Sequence, residues 1–358
     1  MSRCLHVTLG MARLGDLRQE RTGRIAWEPD VSWLKSGQLP RLGAAFLREP
    51  RPPPSGTDLL PWFDNLLPEM DSPLRQRLCA GFGLRQTQSF ALLAALGADL
   101  PGAAVLRAPS AADVAMDEPP SEGAPLASPS TFRWSALAGM QLKLSMSMIK
   151  DSLCLPATGV DGDWIVKFPG SHFEELPEVE HATMAWAAAA GFDVPEHRVV
   201  AASDLEGIDA SWCEGSPTVY AIRRFDRSPG RRIHMEDFCQ ALALPPRYKY
   251  DGAGGGPVSF EGALLFATDL CGQEAGREMA RRLGFVIASG NSDAHLKNWS
   301  IVWNDEGAAH LAPLYDQVAT IAWETMGWSL RGGPNLALRI VGEARLRMLD
   351  ATNLRHLG

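Results

Sequence analysis

Apolar and polar positions alternate in some stretches of the chain and recur at helical spacing in others. Leu142, Leu144, Met146 and Met148 alternate, Lys150-Asp151-Ser152 supplies a turn, and Leu153-Cys154-Leu155 returns, which predicts a β-hairpin. Trp164–Phe168, Val199-Val200 and Val219–Ile222 read as further short strands. Between them Pro177 opens a helix that Gly191 stops, with Val179, Ala182, Trp186 and Ala189 expected on its apolar face. Residues 233–290 read as mostly helical, and Met279, Leu283 and Val286 or Ile287 are expected to point inward. Nearer the start, Pro73–Leu96 carries apolar residues at helical intervals, broken at Gly81 and Gly83.

These patterns divide the chain into four parts. Residues 1–107 are expected to form a small N-terminal α/β domain. Residues 108–130 hold five prolines, four serines and no aromatic residue, a composition too poor in apolar surface to repay ordering, and read as a linker. Residues 131–230 are expected to form a lobe of strands with one helix, and 231–358 a helical lobe. Strands followed by helices give an α+β, two-lobed architecture with a cleft between the lobes.

Composition narrows the function. The chain has 358 residues, 46% of them apolar, enough to fill a sizeable core. Its net charge of −8 argues against a protein that coats nucleic acid unaided and leaves room for a local basic patch. Six scattered cysteines without a CxxC pair read as reduced thiols, which points to the cytoplasm. No apolar run reaches about 18 residues, so no membrane span is expected, and no secretion signal is visible at the N-terminus.

The chemistry concentrates late in the chain. In Asn291-Ser292-Asp293-Ala294-His295-Leu296-Lys297-Asn298, Asp293 and Asn298 stand in a D-x-x-x-x-N pattern. A strand over 299–303, a turn at Asn304–Gly307 and a return to Leu314-Tyr315-Asp316 would bring Asn298 and Asp316 to one end of a hairpin. Phosphoryl transfer needs that layout, one carboxylate to take a proton and an amide with a second carboxylate to hold Mg²⁺. A polar loop capping a helix is the plainer alternative. Lys167 on its strand and Glu180 near the start of the next helix would supply a cation for phosphates and a carboxylate to orient it, against the alternative of a solvent-facing lysine. Lys297 is a candidate to steady the transferring group. Ala138-Gly139-Met140-Gln141-Leu142-Lys143 is the candidate phosphate-covering loop, with one glycine where kinases usually show three. No GxxxxGK[ST] motif occurs, which excludes a P-loop enzyme.

These residues together resemble the HipA toxin family of bacterial serine/threonine kinases, along nearly the whole chain. Leu60–Glu69 resembles the family's N-terminal signature, and Gly97 with Gly102-Ala103 the end of that domain. Ala138–Lys143, Trp164–Pro169, Glu180, Arg224–Arg227, Lys249-Tyr250, Asn291–Ser300 and Leu314–Asp316 resemble the ATP loop, lysine strand, following helix, hinge and catalytic motifs in order. The resemblance implies a protein-kinase-like fold and ATP with Mg²⁺ between the lobes. It implies Asp293 as base, Asn298 and Asp316 as metal ligands, and Lys167 on the phosphates. Arg223, Arg224, Phe225 and Asp226 would border the adenine, with His295 and Tyr315 nearby. It further implies a protein substrate, in some members an aminoacyl-tRNA synthetase. The implied partner is a HipB-like helix-turn-helix antitoxin, with DNA reached only through that complex.

Three departures bear on these expectations. The serine that family members autophosphorylate falls here at Ala136, which leaves Ser135, one residue earlier, as the candidate. Arg223 stands where the hinge often has an acid. Only 42 residues follow Asp316, where the family continues through more helices, so a shortened second lobe is expected. An active kinase toxin is therefore weighed against a degenerate relative that binds an antitoxin and acts in repression. A small-molecule kinase is a third reading of the same cleft.

Overall fold

A computed structural model describes residues 3–36, 42–52, 56–109, 142–150, 152–156, 161–169, 173, 175–208, 210–213, 216–251, 257–325 and 335–349. The candidate phosphate loop from Ala138 to Gln141, Ser135, Ala136 and nearly all of the expected linker lie outside them.

The N-terminal part is a four-stranded antiparallel sheet of β1 (Arg3–Leu9), β2 (Ala12–Gln19), β3 (Ile25–Pro29) and β4 (Ala104–Arg107), in the order β3-β2-β1-β4. Its apolar face closes on the helices Pro73–Gly81 and Ser89–Leu96 and on an aromatic group of Trp27, Phe46, Trp62 and Phe63. The helical break expected around Gly81 and Gly83 separates those two helices. Ser72 caps the first through its side chain, and Pro73 occupies its first turn, where a missing N–H costs nothing.

A second sheet has the order β8-β10-β7-β5-β6-β9. It contains β5 (Lys143–Ile149), β6 (Ser152–Cys154), β7 (Trp164–Lys167), β8 (His197–Ala201), β9 (Leu205–Glu206) and β10 (Thr218–Arg223). The predicted hairpin is β5–β6, turning at Lys150 with a φ of 48°. The helix Leu176–Ala189 packs beside this sheet, but the face it buries is not the apolar one expected. Ala182 and Trp186 face solvent, while Glu180, Thr183, Met184 and Ala187 point in. The helix is rotated so that a carboxylate, rather than a tryptophan, enters the lobe.

A short hairpin, β11 (Arg227–Ser228) with β12 (Arg231–Arg232), leads to the last part. Here the expectation of helix from residue 233 onward is wrong at its start. His234–Asp237 is strand β13, joined by β14 (Ser300–Trp303) and β15 (Ala309–Leu311) in an antiparallel sheet. The helices Phe260–Cys271 and Gln273–Ser289 pack against it, and Met279, Leu283 and Val286 of the latter are buried as expected. A final hairpin, β16 (Asn335–Ile340) with β17 (Glu343–Arg345), lies in the stretch expected to be helical. Among the described residues four apolar clusters underlie this arrangement: one fills the N-terminal part, one fills the last part and takes in Ala44, Ala187 and Phe192 from the others, and two serve the second sheet and its helix.

Polar staples join the parts. Glu236 of β13, wholly buried, accepts hydrogen bonds from Trp62 Nε1 (3.1 Å) and the Ala44 backbone (2.8 Å) of the N-terminal domain and from Trp303 Nε1 (3.0 Å). Asp226 accepts from Arg224, from Arg227 and from the Gly102 backbone (2.8 Å). Gly102 has a φ of +75°, and a Cβ there would meet the Met235 backbone at 2.8 Å, so the approach needs glycine.

Candidate active site

Lys167 ends β7 and points inward beside Lys143, its register partner on β5, because directly paired residues share one face of a sheet. Its Nζ donates to Glu180 Oε1 at 2.5 Å and to Asp316 Oδ1. The sequence places these residues on a strand, on a helix and after a distant hairpin. The fold gathers them into one cluster of two lysines and two carboxylates. Burial would strip Lys167 of its proton, but Asp316 and Glu180 outweigh burial and hold its pKa above the usual value. Burial raises Glu180 to about 7 despite Lys167. For Asp316 burial works upward, yet Lys167 and Lys143 win and hold it well below the carboxylate range. Burial lowers Lys143 to about 8.

Helix Gln273–Ser289 ends at Gly290, whose φ of +64° takes the left-handed cap. The following loop is pinned from within. The Asp293 backbone N–H donates to Asn291 Oδ1 (2.9 Å), the Ser292 N–H to Thr320 Oγ1 (2.8 Å), and Asn291 Nδ2 to Gln317 Oε1 (2.9 Å). Asp293 is left exposed, with Tyr250 Oη donating to its Oδ1 at 2.7 Å. The protein packed around it raises its pKa, the Tyr250 hydrogen bond acting the other way. A raised carboxyl is a better proton acceptor.

Asn298 and Asp316 do meet. Asn298 Nδ2 donates to the Asp316 backbone carbonyl (3.0 Å), which fixes the peptide where Asp316 takes a φ of +57°. An aspartate in that region is uncommon and signals a constrained position. Asn298 Oδ1 is buried and has no hydrogen-bond partner among the described residues. A hard oxygen left unsatisfied beside an ionised carboxylate fits an Mg²⁺ site, since this ion takes oxygen ligands and few protein groups. His295 is buried, its pKa held well below the usual value by burial, and its ring lies edge-on to Tyr250 at 5.1 Å. Tyr315 bonds Ser300 Oγ (2.5 Å) and the Lys297 carbonyl (3.0 Å) and lies 5.3 Å from the Phe225 ring.

Other sequence candidates lie elsewhere. Lys297 is not presented to a phosphate: its Nζ donates to Asn65 O (3.0 Å), Asn65 Oδ1 (2.9 Å) and Asp237 (2.6 Å), three acceptors that hold it under the N-terminal domain. The side chains of Arg224 and Asp226 are buried in the staple to Asp99, Leu100 and Gly102. The Arg223 side chain is exposed, 3.7 Å from Glu196. Leu142 and Lys143 are the described part of the candidate loop, and Lys143 belongs to β5.

Residues without an assigned role in the sequence also enter. Lys249 Nζ donates to Glu69 (2.5 Å) while its carbonyl accepts from the Leu296 N–H (3.1 Å), which sets Tyr250 against Asp293. Asn291 and Gln317 brace the loop. Only the short Asn291-to-Asp293 spacing could have signalled this, as an asparagine side chain accepting from the backbone two residues on.

Comparison with known proteins agrees with this arrangement. The HipA N-terminal domain profile matches residues 5–107 and the HipA-like C-terminal domain profile residues 135–356. Y4dM of Sinorhizobium fredii, named as a candidate kinase, is 37% identical over 83% of this chain and 69% of its own length. The serine/threonine-protein kinase toxin HipA of Shewanella oneidensis is 25% identical over 89% of this chain and 76% of that protein. The fold matches the solved Shewanella oneidensis MR-1 HipA, determined with HipB and operator DNA. The TM-score is 0.72 at 24% identity, covering 99% of this chain and 83% of that one. No helix among the described residues is long and apolar enough to cross a membrane. With both domain profiles matched in order and the Lys167, Glu180, Asn298 and Asp316 side chains converging where they do, the chain belongs to the HipA family.

Proposed function

We propose that this protein is the kinase of a HipBA-like toxin–antitoxin system, transferring the γ-phosphate of ATP to a serine or threonine hydroxyl of a protein. The observation that carries the reading is the cluster in which Lys167 bridges Glu180 and Asp316 while Asn298 is bound to Asp316. Asp293 accepts the proton of the attacking hydroxyl. The hydroxyl oxygen bonds to the γ-phosphorus as the bond to the β,γ-bridging oxygen breaks, and ADP leaves with that electron pair. Tyr250 orients the Asp293 carboxylate. Asn298 Oδ1 and the Asp316 carboxylate would hold Mg²⁺, which, when bound, offsets the charge on the phosphates. Lys167 keeps its proton and meets the phosphate oxygens, Glu180 fixing its direction. Phe225 and Tyr315 offer aromatic surface at the strand-to-lobe connection for the base.

The substrate is a protein hydroxyl, with an aminoacyl-tRNA synthetase as the candidate by family. The partner is a HipB-like antitoxin, and DNA is met only in that complex, as the HipA–HipB–operator structure of the Shewanella relative suggests. Ser135 is the candidate for self-phosphorylation. The test is incubation with γ-labelled ATP and Mg²⁺ beside Asp293→Ala, with a protein extract as acceptor and phosphosite mapping. Label on serine or threonine in the wild-type reaction alone is expected. Equal labelling by both proteins overturns the assignment of Asp293.

A further inference from the structure

Lys249 and Tyr250 connect the candidate base to the N-terminal domain. Tyr250 Oη donates to Asp293 Oδ1 at 2.7 Å. The neighbouring Lys249 is buried, and its Nζ donates to Glu69 Oε1 at 2.5 Å, across 180 positions of sequence. Among the described residues Glu69 is the one carboxylate paired with that ammonium. A buried ammonium deprived of its carboxylate is costly, so this pair decides where the Lys249 side chain lies. Lys249 Nζ also stands 4.9 Å from the centre of the Tyr250 ring, within reach of a cation–π attraction. The same ring meets His295 edge-on at 5.1 Å.

Hydrogen bonds fix both ends of this line. Glu69 follows the short helix Pro61–Asp64, and its carbonyl accepts from the Ser72 N–H (3.0 Å) and from Ser72 Oγ (2.8 Å). Arg75 Nη1 donates to the Pro68 carbonyl beside it (2.9 Å). At the other end the Lys249 N–H donates to the Pro246 carbonyl (3.1 Å), and the Lys249 carbonyl accepts from the Leu296 N–H (3.1 Å), just past Asp293. No hydrogen bond joins Glu69 to Asp293 among the described residues, so Glu69 reaches the base at second hand. Charge follows the same line. Burial raises the Asp293 pKa and the Tyr250 hydrogen bond lowers it; Lys249 lowers it further, while Asp316 and Glu69 raise it.

We propose that Glu69 is a positioning residue for phosphoryl transfer: through Lys249 it sets the Tyr250 hydroxyl on Asp293, and the N-terminal domain thereby completes the reaction centre. The proposal rests on the kinase reading above and adds to it a dependence of the transfer step on a residue of the other domain.

The test is steady-state kinetics of the full chain with Mg-ATP and the protein acceptor that the wild type labels. The variants are Glu69→Ala, Glu69→Gln, Lys249→Met and the double change Glu69→Ala with Lys249→Met. Glu69→Ala is expected to lower kcat about 10–10²-fold, with the KM for Mg-ATP unchanged. Glu69→Gln keeps an acceptor for the ammonium and should lose less; it answers the question if Glu69→Ala does not fold, which circular dichroism checks. Because Glu69 acts through Lys249, the double variant should be no slower than the slower single one. The pH profile separates positioning from a general weakening of the fold. The acid limb of kcat reports the ionisation of the base. Glu69→Gln removes a negative charge, so the limb should move to lower pH; Lys249→Met removes a positive one, so it should move to higher pH. NMR titration of the Asp293 carboxyl reads the same two shifts without turnover. Wild-type kcat in both Glu69 variants overturns the proposal, as do strictly additive losses in the double variant and a carboxyl titration that neither charge change moves. A wild type that transfers no phosphate, or an Asp293→Ala variant as fast as the wild type, overturns instead the kinase reading on which the proposal rests.

Discussion

Asp226→Asn separates two roles for the segment after β10. If the segment borders the adenine, the variant loses nucleotide affinity. If it staples the N-terminal domain, the variant loses stability. Asp226 accepts from Arg224 Nε (2.9 Å) and Nη2 (2.7 Å), from Arg227 Nη1 (2.7 Å) and from the Gly102 N–H (2.8 Å). Its side chain is 5% exposed and that of Arg224 1%. Removing one partner of a buried pair costs about 3–5 kcal/mol, because the other charge stays buried without compensation. Asp99 still faces both arginines, at 3.2 and 2.9 Å, so the loss should fall near the lower end, about 3 kcal/mol. The assay is urea unfolding followed by tryptophan fluorescence and circular dichroism, with Mg-ATP affinity measured separately on the folded variant. Burial pushes the Asp226 pKa up, but Arg224 and Arg227 prevail and hold it below the usual value. Its contribution is therefore present above about pH 3.9, the unfolded value, and is lost as pH falls further. The wild-type advantage over Asp226→Asn should shrink on acidification below about pH 4. A stability loss under about 1 kcal/mol would refute the staple, as would a nucleotide affinity that drops in a variant as stable as the wild type.

Asp293→Ala should slow phosphoryl transfer about 10²–10⁴-fold, with the melting temperature nearly unchanged, since that side chain is exposed and Tyr250 is its one side-chain hydrogen-bond partner among the described residues; a normal rate discards Asp293 as base. Asn298→Ala should raise the Mg²⁺ concentration needed for half-maximal activity about tenfold or more, the order seen when groups at a metal site are removed. A magnesium titration reads this directly, and an unshifted curve removes Asn298 from the metal site. Nucleotide affinity should fall as pH rises through about 8, where Lys143 loses its proton. Lys143→Arg, which stays charged at that pH, should flatten the profile.

The local elements were readable because their signals are local. The β5–β6 hairpin alternates and turns within twelve residues, and the spacing from Asn298 to Asp316 fits a strand, a turn and a strand. What escaped depends on partners far away in the chain. Strand β13 reads His-Met-Glu-Asp, a polar run with no strand signature, and it is buried only because Trp62, Ala44 and Trp303 satisfy Glu236. Arg224 and Asp226 look like a charged surface turn until Asp99 and Gly102 close over them. Lys297 sits in the midst of the catalytic motif, yet Asn65, 232 positions earlier, claims its charge. The helix after β7 shows two local expectations in conflict. Glu180 is expected to orient Lys167, while a face built on Ala182 and Trp186 lies on another side of the helix; the pairing with Lys167 wins and turns Trp186 out.

The central claim is that Lys167, Asn298 and Asp316 form a site for Mg-ATP. The measurement that meets it most directly is the unfolding free energy of the whole protein with and without Mg-ATP, beside Lys167→Met and Asn298→Ala. At a nucleotide concentration 100 times its dissociation constant, the wild type should gain about 2.7 kcal/mol, and both variants should gain clearly less at that same concentration. A wild-type protein that Mg-ATP does not stabilise, or variants stabilised as strongly as the wild type, would contradict it.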